Sequence, residues 1–230
     1  MKTKASAIDY RNPDWTFKTE NVAGHFNQHV REQLPWYDLA TGMVAHLARN
    51  FVTINGQVYD IGTSTGNIAE CVASVVKDRH ATLTAIDESQ AMISQYKSAG
   101  IAVCCDAAEY KYKSYDFAVC FLMLSFVAKP KRARLLNKLA KKIENGGCLL
   151  VVDKFEMPKG YASNVLRNLT IAGKAASGAV AADIVRKQLS LIGVQRPLQK
   201  QELTNLPMVT AKKCFQFGEF AGWMVMSNKS

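Results

Sequence analysis

Two carboxylates bracket a glycine-bounded loop: Asp60 precedes Gly62, Ser64 and Gly66, and Asp87 follows with Glu88 beside it. Glycine lets a backbone turn sharply and lets a ligand approach it closely. A helix that starts directly after such a loop offers unpaired N–H groups to the same ligand. Asp87 stands 21 positions after Gly66, near the spacing of about 20 residues at which nucleotide-binding α/β domains place an acid on the ribose hydroxyls. These residues suit recognition of an adenosine-containing ligand. His25, His29 and Tyr37 are the candidates for proton transfer. His25 and His29 are four apart and share one helix face. That spacing also suits a metal pair, but no third ligand accompanies it. No metal is expected, and a polar helix face is the simpler reading. The cysteines at 71, 104, 105, 120, 148 and 214 follow no CxxC or Cys/His spacing. They read as small hydrophobes in a reducing compartment, not as a zinc or disulfide framework.

The elements that must position these groups alternate regularly. Val58-Tyr59-Asp60-Ile61 is β-rich, and the spacing predicts a strand over 57–61, the loop, then a helix over 66–77. A strand over 81–86 leads to Asp87 and a helix over 89–98. A short strand over 101–105 ends beside Asp106, and a strand over 115–121 ends at Phe121. A basic helix from Pro130 to Ile143 follows, with Leu135, Leu136, Leu139 and Ile143 as its apolar stripe and the Lys/Arg residues opposite. Asn145-Gly146-Gly147 is expected to cap that helix, and Cys148–Phe155 to form a buried strand. The βαβα order implies a parallel sheet with helices on both faces. Helices are also predicted over 21–33 and 38–50, ahead of the first strand, with aromatic anchors at Tyr10, Trp15 and Phe17 earlier still. Further helices are predicted over 164–172 and 179–192. Residues 211–226 read as two strands joined at Gly218-Glu219. The helical stretch is expected either to cover the C-terminal strand edge, where such sheets bind ligands, or to form an extra packing layer.

The chain has 230 residues, enough for one α/β domain. No apolar run approaches a membrane span, and no apolar signal core follows the basic N-terminus. The expected location is cytoplasmic, in a bacterium or encoded by a phage of one. Net charge is +10 and uneven: residues 111–142 carry nine basic side chains and one acidic. That basic face suits either a polyanion or plain solvation.

Several segments together resemble one family. They are Val22–Tyr37, Gln57–Gly66, Ala85–Met92, Asn145–Phe155 and Cys214–Gly218. Their order and spacing resemble the carboxy-S-adenosyl-L-methionine (carboxy-SAM) synthases of the tRNA wobble-uridine oxyacetate pathway, a branch of the class I SAM-dependent methyltransferases. The resemblance implies a Rossmann-like class I methyltransferase sheet closed by an antiparallel hairpin. One domain spans 1–230, with cap helices over 1–50 and a helical lid over 156–205. It implies SAM as cofactor, held by Tyr37, by the loop residues Gly62, Ser64 and Gly66 with Asp60 at its base, by Asp87 and Glu88 at the ribose, and by Asp106 and Phe121 near the adenine. It admits a homodimer and no membrane. Gly193–Pro197 resembles methyltransferase-like proteins of bacteriophages.

Two positions depart from the family pattern. Phe121 stands where the family has an asparagine, and Gln188 where its lid carries an arginine for the extra carboxylate. Methyl transfer from SAM to an acceptor, small molecule or nucleic acid, is therefore the first expectation, and carboxy-SAM synthesis the second. A non-catalytic protein binding a nucleic acid or protein through its basic face is the third. No Asn-Pro-Pro-Tyr or Asp-Pro-Pro-Tyr follows the fourth strand and no proline precedes Cys120, which argues against classical DNA methylation.

Overall fold

The structure is a computed structural model and describes residue 27 and residues 30–228. His25 and His29, the aromatic anchors at 10, 15 and 17, and most of the 21–33 helix lie outside the described residues. Residues 30–33 are helical.

The central elements are α1 (Tyr37–Phe51), β1 (Gln57–Ile61), α2 (Asn67–Asp78), β2 (Thr82–Asp87), α3 (Gln90–Ser94), β3 (Ile101–Cys104), β4 (Tyr115–Phe121), α4 (Lys129–Lys142) and β5 (Ile143–Lys154). The chain continues through α5 (Tyr161–Ala176), α6 (Ala181–Ser190), α7 (Gln201–Thr204), β6 (Val209–Phe217) and β7 (Phe220–Ser227). One seven-stranded sheet runs in the order β3-β2-β1-β4-β5-β7-β6. Strands β1 to β5 pair in parallel, and β7 is antiparallel to both β5 and β6. This is the expected Rossmann-like sheet with its terminal hairpin, turning at Gly218-Glu219.

Strand alternation divides the core into two layers. Val58, Phe117, Val119, Leu150 and Val152 pack against α1 and α2 through Ala40, Val44, Ala48 and Val72. Tyr59, Ile61, Ala118, Cys120 and Val151 face the other way, onto Leu135, Leu136 and Leu139 of α4. On α1 the buried Ala40, Val44 and Ala48 recur every four residues, so small side chains let that helix lie close to the sheet.

Three expectations are corrected. The helix predicted over 89–98 is only α3. Ser89 caps it, accepting from Met92 N at 3.3 Å; it ends because Tyr96 folds back on Gly66, where an added Cβ would sit 2.9 Å from the ring. Gly146-Gly147 does not cap α4. That helix stops at Ile143, already extended, and both glycines lie within β5, where a Cβ on Gly147 would meet the Asp116 carbonyl at 2.9 Å. Arg132 is not on the solvent side: it is 0% exposed. Its guanidinium donates to Glu202 at 2.7 and 2.8 Å and to the carbonyls of Leu124 and Arg196. It thereby ties α4 to the chain that returns from α6 into α7. No helix among the described residues is long and apolar enough to cross a membrane.

Candidate functional site

The glycine loop is shaped by three consecutive demands. Gly62 has φ +75°, and a Cβ there would lie 2.5 Å from that of Met123. Ser64 adopts φ 53°, uncommon for a residue with a side chain. Gly66, at φ +98°, is the N-cap of α2. Two carboxylates hold this shape from opposite sides. Asp60, buried under the loop, accepts the Thr63 hydroxyl at 2.6 Å and the Ala69 N–H at 3.0 Å. Burial pushes its carboxyl up to about 7, against the pull of those two donors. Asp87 accepts Ser64 N–H at 2.8 Å and Ser89 N–H at 2.9 Å, one on each oxygen. Burial raises its pKa too, with the backbone donors of Ser89, Ser64 and Glu88 opposing.

Above the loop lies a cavity of about 820 Å³, within the range of small-molecule and cofactor sites. Tyr37, Gly62, Ser64, Asp87 and Glu88 line it, and Asp106 and Phe121 reach it from β3 and β4. Asp60 and Gly66 do not; they support the loop from beneath and at its end. Tyr37 accepts the Asn67 side-chain amide at 3.0 Å, and its ring meets Phe121 edge-on at 5.5 Å. Burial pushes the Tyr37 phenol up to about 12, so it keeps its proton at neutral pH. Asp106 forms an ion pair with Lys131 and accepts Ala108 N–H at 2.9 Å. Burial works against its charged form, but those two donors outweigh it and lower its pKa.

Residues 58–147 match the family described as Methyltransferase domain. The carboxy-S-adenosyl-L-methionine synthase of Salmonella paratyphi C is 30% identical over 201 residues, which cover 84% of this chain and 81% of that one. The chain belongs to the carboxy-SAM synthase family. The synthase of Staphylococcus epidermidis is 26% identical over 94% of this chain and 98% of its own length. Among solved structures, the plantazolicin methyltransferase BpumL, in complex with a monoazolic desmethylPZN analog and SAH, superposes with TM-score 0.62 at 14% identity. It covers 90% of this chain and 89% of that one. The N-methyltransferase NodS of Bradyrhizobium japonicum, also with SAH, gives 0.57 at 13%, covering 85% and 89%. The chain is thus an enzyme of the SAM-dependent methyltransferase class, with SAM as cofactor.

The residues present fit that cofactor. The Asp87 carboxylate accepts the backbone N–H groups of Ser64, Ser89 and Glu88, and of its roughly four acceptor sites one is left for a hydroxyl. The half of the cavity remote from the loop fits the carboxy-SAM synthase family less predictably. It is lined by Lys154 at the end of β5, Arg167 and Lys174 of α5, Lys187 and Gln188 of α6, and Glu219 of the hairpin turn. Lys174 is 8% exposed, and burial, with Lys154 nearby, lowers its pKa against the pull of Glu219. Lys154 is ion-paired with Glu219. Lys187 is half-buried. Burial and then Lys174 push it down to about 7.

Sequence reasoning missed Gln33 and Lys174. Val30, Gln33, Leu34 and Tyr37 all line the cavity at spacings of three and four, so the helical period could have revealed Gln33. Nothing local marks Lys174, because its neighbours Lys154 and Glu219 come from a strand and a turn distant in sequence.

Proposed function

We propose that this enzyme holds SAM with its amino-acid end at Gly62–Gly66 and its ribose at Asp87 and Glu88, and carboxylates it from a small acidic second substrate: the S-methyl carbon gives up a proton and bonds to the carboxyl carbon, while the donor's own bond to that carboxyl breaks and its remainder takes the proton. The bound sulfonium supplies an activated carbon next to sulfur. This chain's residues position it: Asp87 accepts ribose hydroxyls, Tyr37 donates its retained proton toward the ligand, and Phe121 closes the cavity beside it. Residues 156–205 act as a lid within a single domain and exclude water. A reducing cytoplasm suits the six free thiols.

One observation carries the acidic substrate. Lys154, Lys174 and Lys187 line the same end of the cavity, with Glu219 ion-paired to Lys154. Such a concentration of ammonium groups suits an acidic ligand, because a carboxylate supplies strong charge-assisted hydrogen bonds. The cation that the family's lid arginine would provide, where Gln188 stands, is offered one residue earlier by Lys187. Mass spectrometry of the nucleoside released from purified protein tests the reading. Carboxylated SAM supports it. SAM alone, with methyl transfer to a neutral acceptor, rejects it.

A further inference from the structure

We propose that Gln33 is the acceptor for the α-ammonium at the amino-acid end of the cofactor. Gln33 is 4% exposed, lines the cavity, and its side-chain Oε1 is buried with no hydrogen-bond partner among the described residues. An orphaned buried acceptor costs free energy until a donor arrives. Two contacts place the chain around Gln33 beside the loop. Thr65 Oγ1 donates to Asn27 Oδ1 at 2.7 Å, and Asn67 Nδ2 donates to Tyr37 Oη at 3.0 Å. Residues on either side of Gln33 are therefore fastened to residues on either side of Gly66, and the helical turn 30–33 runs along the glycine loop.

The chemistry of that end of the cavity selects the donor. Asp87, Glu88 and Asp106 stand at the far side of the loop, along the ends of β2 and β3. Asp60 is beneath the loop and does not line the cavity. An ammonium seated on the loop thus meets the Gln33 amide oxygen as its side-chain acceptor. An amide is neutral, so it recognises the ammonium without competing for the proton.

The inference rests on the proposed placement of SAM, and two probes separate the two. S-adenosylhomocysteine carries the amino-acid end; 5′-methylthioadenosine has the same nucleoside and a thioether but lacks it. Titration calorimetry with both is run on the wild type, Gln33→Met, which keeps length and volume, and Gln33→Glu, which keeps an acceptor. Thermal melting checks the fold of each. Gln33→Met is expected to weaken S-adenosylhomocysteine roughly tenfold and leave methylthioadenosine unchanged, while Gln33→Glu retains or tightens S-adenosylhomocysteine. Unchanged S-adenosylhomocysteine affinity in Gln33→Met, or equal weakening of both probes, overturns the role of Gln33 and leaves the cofactor placement standing. A wild type that binds neither probe overturns the placement itself.

Discussion

The Asp87 carboxylate accepts the backbone N–H of Ser64 at 2.8 Å, across a gap of 23 residues in sequence. The end of β2 therefore sets the conformation of the glycine loop. Ser64 occupies a left-handed backbone that costs roughly 1–3 kcal/mol, and the same conformation turns its N–H toward Asp87. In the proposed placement of SAM, one acid does two tasks: it prepares the loop for the cofactor's tail and keeps acceptor capacity for the ribose. Asp87→Asn places a side-chain amide donor against a backbone donor, Ser64 or Ser89. It should weaken SAM binding at least tenfold, a loss of about 2 kcal/mol for a hydrogen bond to a charged acceptor. Calorimetry measures this, and wild-type affinity in a folded variant would reject the double role.

Asp60 gives the fold a specific pH signature. Its carboxyl is ordinarily near 3.8 and is pushed up to about 7 by burial. Between those values the folded state keeps a proton that the unfolded chain releases. Stability contributed by the protonated acid is complete below about 4, falls as pH rises through about 7, and is flat beyond. Buried Asp153 is also raised and adds a slope of the same sign, so the comparison must be with a variant. Asp60→Asn, neutral at every pH, is expected to melt with a visibly shallower dependence across that window. Parallel wild-type and variant curves would show that Asp60 is ionised in the native protein.

The strands that carry the site were legible because β1 and β2 combine β-branched or aromatic residues with a sharp break at or just after an acid. Asp60, the loop and Asp87 come from two successive βα units, so their relation is nearly local. The features that misled are non-local. Gly146-Gly147 resembles a helix cap, yet both glycines lie within β5, where the Asp116 carbonyl leaves no room for a side chain at Gly147. Arg132 was assigned to solvent by its charge, although it shares the helical phase of Leu135, Leu136 and Leu139; its partner Glu202 lies 70 residues on. Lys174 is buried on a helix that exposes Tyr161, Val165 and Leu169, so the ordinary polarity of an amphipathic helix is reversed there. A pattern reading cannot anticipate that reversal without the cavity.

The Arg132–Glu202 pair is a mechanical link as well as an ion pair. The guanidinium also holds the Arg196 carbonyl at 2.7 Å, at the point where the lid rejoins the sheet. Removing one member strands the other with its charge largely enclosed, a loss of roughly 3–5 kcal/mol. Arg132→Met is expected to lose that much in urea unfolding, and Arg132→Lys to recover little, because an ammonium lacks the bidentate fork. Joint replacement of Arg132 and Glu202 by apolar residues should cost less than Arg132→Met alone. If the joint variant is the least stable of the three, the penalty is packing and not an orphaned charge.

Protonation of Lys187 should govern the capture of an acidic second substrate. Its ammonium faces Lys174 and Arg167 of α5, Lys154 of β5 and Glu219 of the hairpin turn around the same end of the cavity. Burial and Lys174 push it down to about 7, so near neutrality it is half charged. A carboxylate favours the charged form, and binding therefore takes up a proton. With S-adenosylhomocysteine in place, malonate affinity should fall about tenfold between about pH 6 and about pH 8. Malonamide, the neutral analogue, should show no such trend. Lys187→Met should flatten the malonate profile while leaving S-adenosylhomocysteine binding intact, since Lys187 belongs to α6 and not to the glycine loop. A malonate profile that stays steep in Lys187→Met would transfer the titration to Lys174. A flat wild-type profile would remove the lysines from substrate selection.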